Sequence, residues 1–216
     1  LPPEPLILAF DTSAAHCAAA LLSGDRVLVQ TEEPMATGQA ERLMPMLEEV
    51  LRDAGVSWRD LTALGVGTGP GNFTGVRIAV AAARGLALGL GCKAIGVTVF
   101  EALAWGRNAA LVARDARLGQ VHLQAFGPHA FGPVTQPLGE ALPPLPAGLP
   151  CLGDFAGNLA ARIGGHEVAA MAPLAEAIAR IAMERRDQDL PRPAPLYLRA
   201  PDAAPPRDPA PTILQE

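Results

Sequence analysis

Residues 6–30 read LILAFDTSAAHCAAALLSGDRVLVQ, and their pattern sets the start of the fold. Leu6 to Phe10 is a short apolar run of the kind a buried strand needs. Asp11-Thr12-Ser13 ends it. Cys17 to Leu22 is a second apolar run, and Ser23-Gly24-Asp25 is a turn signal. Arg26 to Gln30 then alternates, with Val27 and Val29 on one face. The segment predicts a three-stranded antiparallel meander.

Downstream, the period changes from strand to helix. Ala40, Leu43, Met44, Leu47, Val50 and Leu51 recur at helical spacing, and Gly55 is a natural stop. Pro45 falls inside this stretch. A proline is tolerated in a first helical turn and is costly later, so the pattern predicts a kink, or a helix starting near Pro45. Thr62 to Gly67 predicts a strand and Thr68 to Gly75 a glycine-rich loop. Val76 to Leu90 predicts a helix closed by Gly91, and Lys93 to Val97 a further strand. Thr98-Val99-Phe100-Glu101 fits a capping box that opens another helix.

The resulting order is strand, strand, strand, helix, strand, helix, strand, helix. It predicts an α/β chain of the ribonuclease-H-like order found in each half of actin-type (ASKHA) proteins. The pattern then restarts. Ala109 to Asp115 is an apolar strand ending in Asp115-Ala116-Arg117, much as the first strand ends in Asp11-Thr12-Ser13, and Gln120 to Phe126 alternates as its partner. Residues 127–150 are rich in Pro and Gly and predict irregular loop. Cys151 to Asp154 is another strand-to-loop step, and Pro173 to Arg185 predicts a helix. These readings divide the chain into a first lobe at 1–103, a degenerate second lobe at 104–200 and a mobile tail at 201–216, with Tyr197-Leu198-Arg199 as a docked extended piece.

Composition bounds the function. Half of the 216 residues are hydrophobic but only 4% are aromatic, so the core must be built from aliphatic side chains. The formal net charge is -5. A protein that grips a polyanion unaided usually carries a basic footprint, so any role near RNA would run through a partner. The three cysteines show neither disulfide nor zinc spacing. No signal peptide is predicted. The stretch from Val76 to Leu90, with Arg77 and Arg84 in it, reads as too short and too charged to span a bilayer. A cytosolic protein is expected.

Four glycines (Gly67, Gly69, Gly71 and Gly75) line the turn from strand to helix in Gly67-Thr68-Gly69-Pro70-Gly71-Asn72-Phe73-Thr74-Gly75-Val76-Arg77. Glycine lets a backbone approach another surface closely, and the helix start offers free N–H groups to an anion. The spacing matches neither a Walker A loop nor the dinucleotide fingerprint. The loop can serve as a phosphate or ligand contact, as a structural tight turn, or as a loop that contacts a partner. In actin-type ATPases a carboxylate and hydroxyls at this place meet metal and phosphate, which is one reading of Asp11, Thr12 and Ser13; the other is a self-satisfied Asx-type turn. Asp115-Ala116-Arg117 and Gly153-Asp154 occupy comparable strand ends in the second half, and could be cleft residues, or else an ion pair or turn caps. No two of His16, His122, His129 and His166 form a metal-binding helical pair.

Several of these segments together resemble the TsaB (YeaZ-type) family. They are Ile7 to Ser13, Ala40 to Pro45, Gly69 to Ile78, Asp115-Ala116-Arg117, and Tyr197 to Asp202, in that order. The resemblance implies a scaffold and activating subunit, not an enzyme or peptidase by itself. Its partner would be the paralogue TsaD, which transfers a threonylcarbamoyl group to the adenosine beside the anticodon of tRNA. TsaD has a His-x-x-x-His metal motif on its first helix, and here the matching Gly38 to Arg42 has no histidine. No catalytic or metal residue is therefore expected. The resemblance implies pairing with TsaD through the two helices of the first lobe, with Leu43, Met44, Leu47, Leu51, Ile78 and Ala82 as the interface; the alternative is that these apolar positions are core, as some on a one-striped helix must be. It further implies contact with the TsaE ATPase, tRNA held indirectly through the complex, and a homodimer in the partner's absence. No cofactor belongs to the chain on this reading, with ATP or ADP at the level of the complex. The cleft candidates are Asp11, Thr12, Ser13, Gly69, Gly71, Asn72, Thr74, Gly75 and Asp115. A free-standing actin-type ATPase or sugar-kinase-like phosphotransferase is the alternative.

Overall fold

The computed structural model describes residues 4–198. The proposed tail at 201–216 and the Arg199 to Asp202 part of the late motif lie outside them. The first sheet holds β1 (Leu6–Asp11), β2 (His16–Ser23), β3 (Arg26–Pro34), β4 (Ala63–Gly67) and β5 (Lys93–Val97). Its order is β3-β2-β1-β4-β5. The first three strands form the antiparallel meander, and β4 and β5 add in parallel through helical crossovers. This is the α/β, ribonuclease-H-like order expected from the sequence.

Alternation along β1 explains why the sheet is covered on both faces. Leu8 and Phe10 join Leu21, Leu47, Leu64 and Val80 under α1 (Gln39–Asp53) and α2 (Phe73–Leu90). Ile7 and Ala9 point the other way, into a small-residue layer completed by Ile178 and Ala182. A buried Leu or Ile contributes about 1.5–3 kcal/mol, so each layer matters to the fold.

The second sheet runs β10-β9-β6-β7-β8. It is built from β6 (Ala110–Arg117), β7 (Gln120–Phe126), β8 (Phe131–Pro137), β9 (Pro150–Gly153) and β10 (His166–Glu167). One face packs on α4 (Ala156–Ile163) through Leu111, Leu123 and Leu159. The other meets Phe100 and Ala104 of α3 (Val99–Ala104). The Thr98–Glu101 capping box opens α3 as expected.

Four expectations change. The helix α1 begins at Gln39 and runs through Pro45, whose ring faces solvent. The strand β8 lies where loop was expected. Its Gly132, Pro133 and Pro137 mimic turn chemistry, yet an edge strand tolerates proline because one side needs no ladder bond. The helix α5 (Leu174–Arg185), expected in the second lobe, packs on the first sheet against Ile7, Ala18 and Ala63. The stretch 104–200 therefore holds the second sheet together with a helix that belongs to the packing of the first. Finally, α2 starts at Phe73 rather than Val76. Its 18 residues have a mean hydropathy of 1.4, long and apolar enough to cross a membrane by length and composition alone. One side of it, carrying Val76, Ala79, Val80 and Ala83, is buried on the sheet.

Candidate functional site

The turn after β1 satisfies most of its own polar groups. Asp11 Oδ1 accepts the Ser13 N–H and the Ser13 hydroxyl, both at 2.8 Å. The same oxygen shares a hydrogen bond with His16 Nε2 at 2.8 Å, and Glu32 lies 3.4 Å from His16 Nδ1. The hydrogen bond that the Asp11 carboxylate accepts raises the pKa of His16 above its ordinary value, against the opposing effect of burial. Asp11 Oδ2 is buried without a protein partner.

The glycine-rich loop closes on this turn. Asn72 N–H donates to the Ser13 carbonyl at 2.5 Å, and the Thr12 hydroxyl donates to the Gly75 carbonyl at 2.7 Å. A Cβ on Gly71 would lie 2.1 Å from the Ser13 oxygen, and one on Gly75 would lie 1.9 Å from the Thr12 oxygen. Both glycines are thus required by close backbone approach within the chain. The first turn of α2 is also largely satisfied. Asn72 caps it, its Oδ1 accepting from Thr74 N at 3.0 Å and Gly75 N at 3.2 Å. The amides of Asn72, Thr74 and Gly75, which an anion at this helix start would use, are already bonded within the chain.

A cleft of about 1140 Å³ lies between this turn and the second sheet. It brings together Ser13, Gly71, Asn72 and Asp115 of the nine residues singled out in the sequence. Asp11 and Thr12 lie buried beneath it. Gly69 is buried and accepts Val99 N–H at 2.8 Å, Gly75 is packed on Thr12, and Thr74 is exposed on the first turn of α2. Asp115 Oδ1 accepts Arg117 N–H, and Asp154 Oδ2 accepts Asp115 N–H, each at 2.8 Å. Arg114 Nε sits 3.4 Å from that Asp154 oxygen. Both carboxylates thus hold the end of β6 in place as turn caps and an ion pair.

Sequence reasoning missed two groups. His16 stands in no metal-binding spacing in the sequence, yet it closes on Asp11 because the hairpin pairs Asp11 with Ala18 and leaves His16 beside the strand end. Only the hairpin register could have revealed this. At the cleft mouth Arg77 stacks 3.7 Å above the Phe73 ring and donates to the Tyr197 hydroxyl at 2.7 Å. Phe73 and Arg77 are an i, i+4 pair on one helix, but no local spacing links either of them to Tyr197.

The expected interface needs a correction. Leu43, Leu47 and Leu51 are buried in the core beneath α1. Helical periodicity finds the apolar stripe, and that stripe faces the sheet. Met44 is exposed, and Ile78 and Ala82 are half-buried. On α2 the residues Ala81, Gly85, Leu88 and Gly89 are exposed as well.

The family model for TsaD, a tRNA N6-adenosine threonylcarbamoyltransferase, matches residues 33–130. The tRNA threonylcarbamoyladenosine biosynthesis protein TsaB of Escherichia coli is 40% identical over 122 residues, covering 54% of this chain and 52% of that protein. An uncharacterized protein of Mycobacterium tuberculosis is 31% identical over 217 residues, covering 92% of this chain and 94% of that protein. The solved structure of YeaZ from Pseudomonas aeruginosa superposes with a TM-score of 0.71 at 28% identity, covering 90% of this chain and all of YeaZ. The chain belongs to the TsaB (YeaZ) family. It spans about half the length of the curated TsaB relatives that it matches. The match to YeaZ reaches further than the TsaB alignments and includes the second sheet. Within this TsaB-family chain, Gly69 to Ile78 and Asp115 to Arg117 flank one cleft, as the geometry above describes.

Proposed function

We propose that the chain is a non-catalytic scaffold and activating subunit for threonylcarbamoyladenosine formation in tRNA, acting in the cytoplasm. Its partner on this reading is a TsaD-type transferase, held in a heterodimer by the outer face of α2 together with Met44 of α1. A TsaE-type ATPase joins the pair, and tRNA is reached through the complex. The chain needs no cofactor, and ATP or ADP acts at the level of the complex. Without the partner, the same face would support a homodimer.

The observation that carries the reading is the state of α2. The helix has a mean hydropathy of 1.4 over its 18 residues, yet only Gly75, Val76, Ala79, Val80 and Ala83 are fully buried within the chain. Apolar side chains left on the outer side of such a helix favour cover by a partner. Ile78, Ala81, Ala82, Gly85, Leu88 and Gly89 share the uncovered face at helical spacing. Their small side chains let another helix come close, while Arg77 and Arg84 interrupt the face with charge. The names of the relatives supply the pathway. The filled glycine loop and the lack of a histidine pair at Gly38 to Arg42 support a non-catalytic role.

Co-purification with a TsaD-type partner tests it. Ala81→Glu and Leu88→Glu lie on exposed positions and should leave the fold intact while weakening pairing at least 100-fold. Unchanged pairing would refute the placement. Calorimetry with ATP and magnesium tests the rival kinase-like or ATPase activity. Micromolar binding with turnover by the isolated chain would overturn the non-catalytic reading.

A further inference from the structure

Beyond α5 the chain runs extended to Leu198 and touches both lobes in turn. Lys93 Nζ on β5 donates to the Arg186 and Gln188 carbonyls at 3.1 and 2.9 Å, fixing the start of this segment to the first sheet. Pro193 is buried and lies against Gly96. Leu196 N–H donates to the Thr68 carbonyl at 2.8 Å, just past the end of β4. Its side chain, with that of Leu198, packs on Phe100, Val112 and Leu152 in the layer beside the second sheet. The Leu198 carbonyl accepts from the Thr135 hydroxyl of β8 at 3.2 Å. Between the two leucines, the Tyr197 hydroxyl accepts from Arg77 on the first turn of α2 at 2.7 Å.

Domain closure around a cleft needs a few hinge residues that absorb the rotation and an interface free to slide. Here the same three residues are anchored to opposite lobes. Leu196 is held by its amide to the first lobe and by its side chain to the second. Any rotation of the second sheet away from β4 must break the amide bond or withdraw both leucines from their packing. The return of α5 to the first sheet and the Glu101–Arg185 ion pair at 2.7 Å add a further tie at the crossing.

We propose that residues 188–198 are a lock that holds the two lobes at one angle, so that the cleft keeps a fixed width. Through Tyr197 and Arg77 the lock also steadies the first turn of α2. The inference concerns the isolated chain and needs no partner, so its failure leaves the scaffold reading untouched.

Pulsed electron spin resonance on the full chain tests it. Spin labels go at Glu48→Cys on α1 and Ala161→Cys on α4, both exposed. Cys92→Ser removes the half-buried thiol, and Cys17 and Cys151 are buried. The expected result is one narrow distance peak. Combining Leu196→Ala with Leu198→Ala should widen that peak at least twofold, and Tyr197→Phe should widen it less. A broad or split peak without the strap changes would overturn the lock, as would a strap variant with an unchanged peak. Should the double variant lose its fold by circular dichroism, hydrogen exchange without it decides. Leu196 amide protection within tenfold of that in β4 supports the lock, and exchange more than 100-fold faster than β4 overturns it.

Discussion

Replacing Gly75 by Ala separates close backbone approach from helix propensity, because the two act in opposite directions. In a helix, Ala is favoured over Gly by roughly 0.5–1 kcal/mol. Gly75 lies in the first turn of α2, and its new Cβ would stand 1.9 Å from the Thr12 carbonyl oxygen. Backbone cannot yield as a flexible side-chain end can, so helix and turn must move apart by more than an ångström. That movement breaks the buried Thr12 hydroxyl bond to the Gly75 carbonyl and the Asn72 bond to Ser13. Each buried group left unpaired costs about 1–3 kcal/mol. The net expectation is a loss of roughly 2–4 kcal/mol after the propensity gain. The control is Gly85→Ala in the same helix, where an added Cβ meets nothing within 4 Å. It should gain roughly 0.5–1 kcal/mol. Urea denaturation of the isolated proteins measures both. Equal midpoints for the two variants, or a Gly75→Ala protein at least as stable as the parent, would refute the reasoning.

Other substitutions probe other parts of the site. Asn72→Ala removes the cap acceptor for two amides and should cost about 1 kcal/mol in a urea melt. Leu47→Ala opens a fully buried site and should cost about 2–5 kcal/mol, while the exposed Met44→Ala should stay within about 0.5 kcal/mol. His16→Gln tests the link to Asp11. The folded-state pKa of His16 is raised, so its contribution is complete below the unfolded value near 6.5 and fades as pH climbs through the folded value. Melts from pH 5 to 9 should therefore show the gap between parent and variant shrinking with rising pH, and a gap that widens would count against it.

Local pattern carried the first sheet well. The apolar run of β1, the turn at Ser23 to Asp25 and the Thr98–Glu101 box are short-range signals, and each element lies where they place it. The second half was less legible. The strand β8 is stabilised by pairing with β7, which overrides its Gly and Pro content. The destination of α5 was hidden because an amphipathic helix shows which side is apolar without naming the sheet that receives it. The same limit misplaced Leu43, Leu47 and Leu51, since a buried stripe and a docking stripe are alike in sequence. At the cleft, the residue types were visible, but the tertiary contacts were not. Tyr197 meets Arg77 only once the chain has crossed between the lobes.

The return of α5 to the first sheet bears on how the protein is made. The meander emerges early from the ribosome, and α1 and α2 can cover one face soon afterwards. The opposite face, with Ile7, Ala9, Ala18 and Ala63, waits for Ile178 and Ala182. Contacts so distant along the chain slow folding and leave apolar surface open meanwhile. The first lobe to be synthesised is therefore among the last regions to be sealed, and a nascent chain paused near β7 would carry a half-dressed sheet that chaperones can grip.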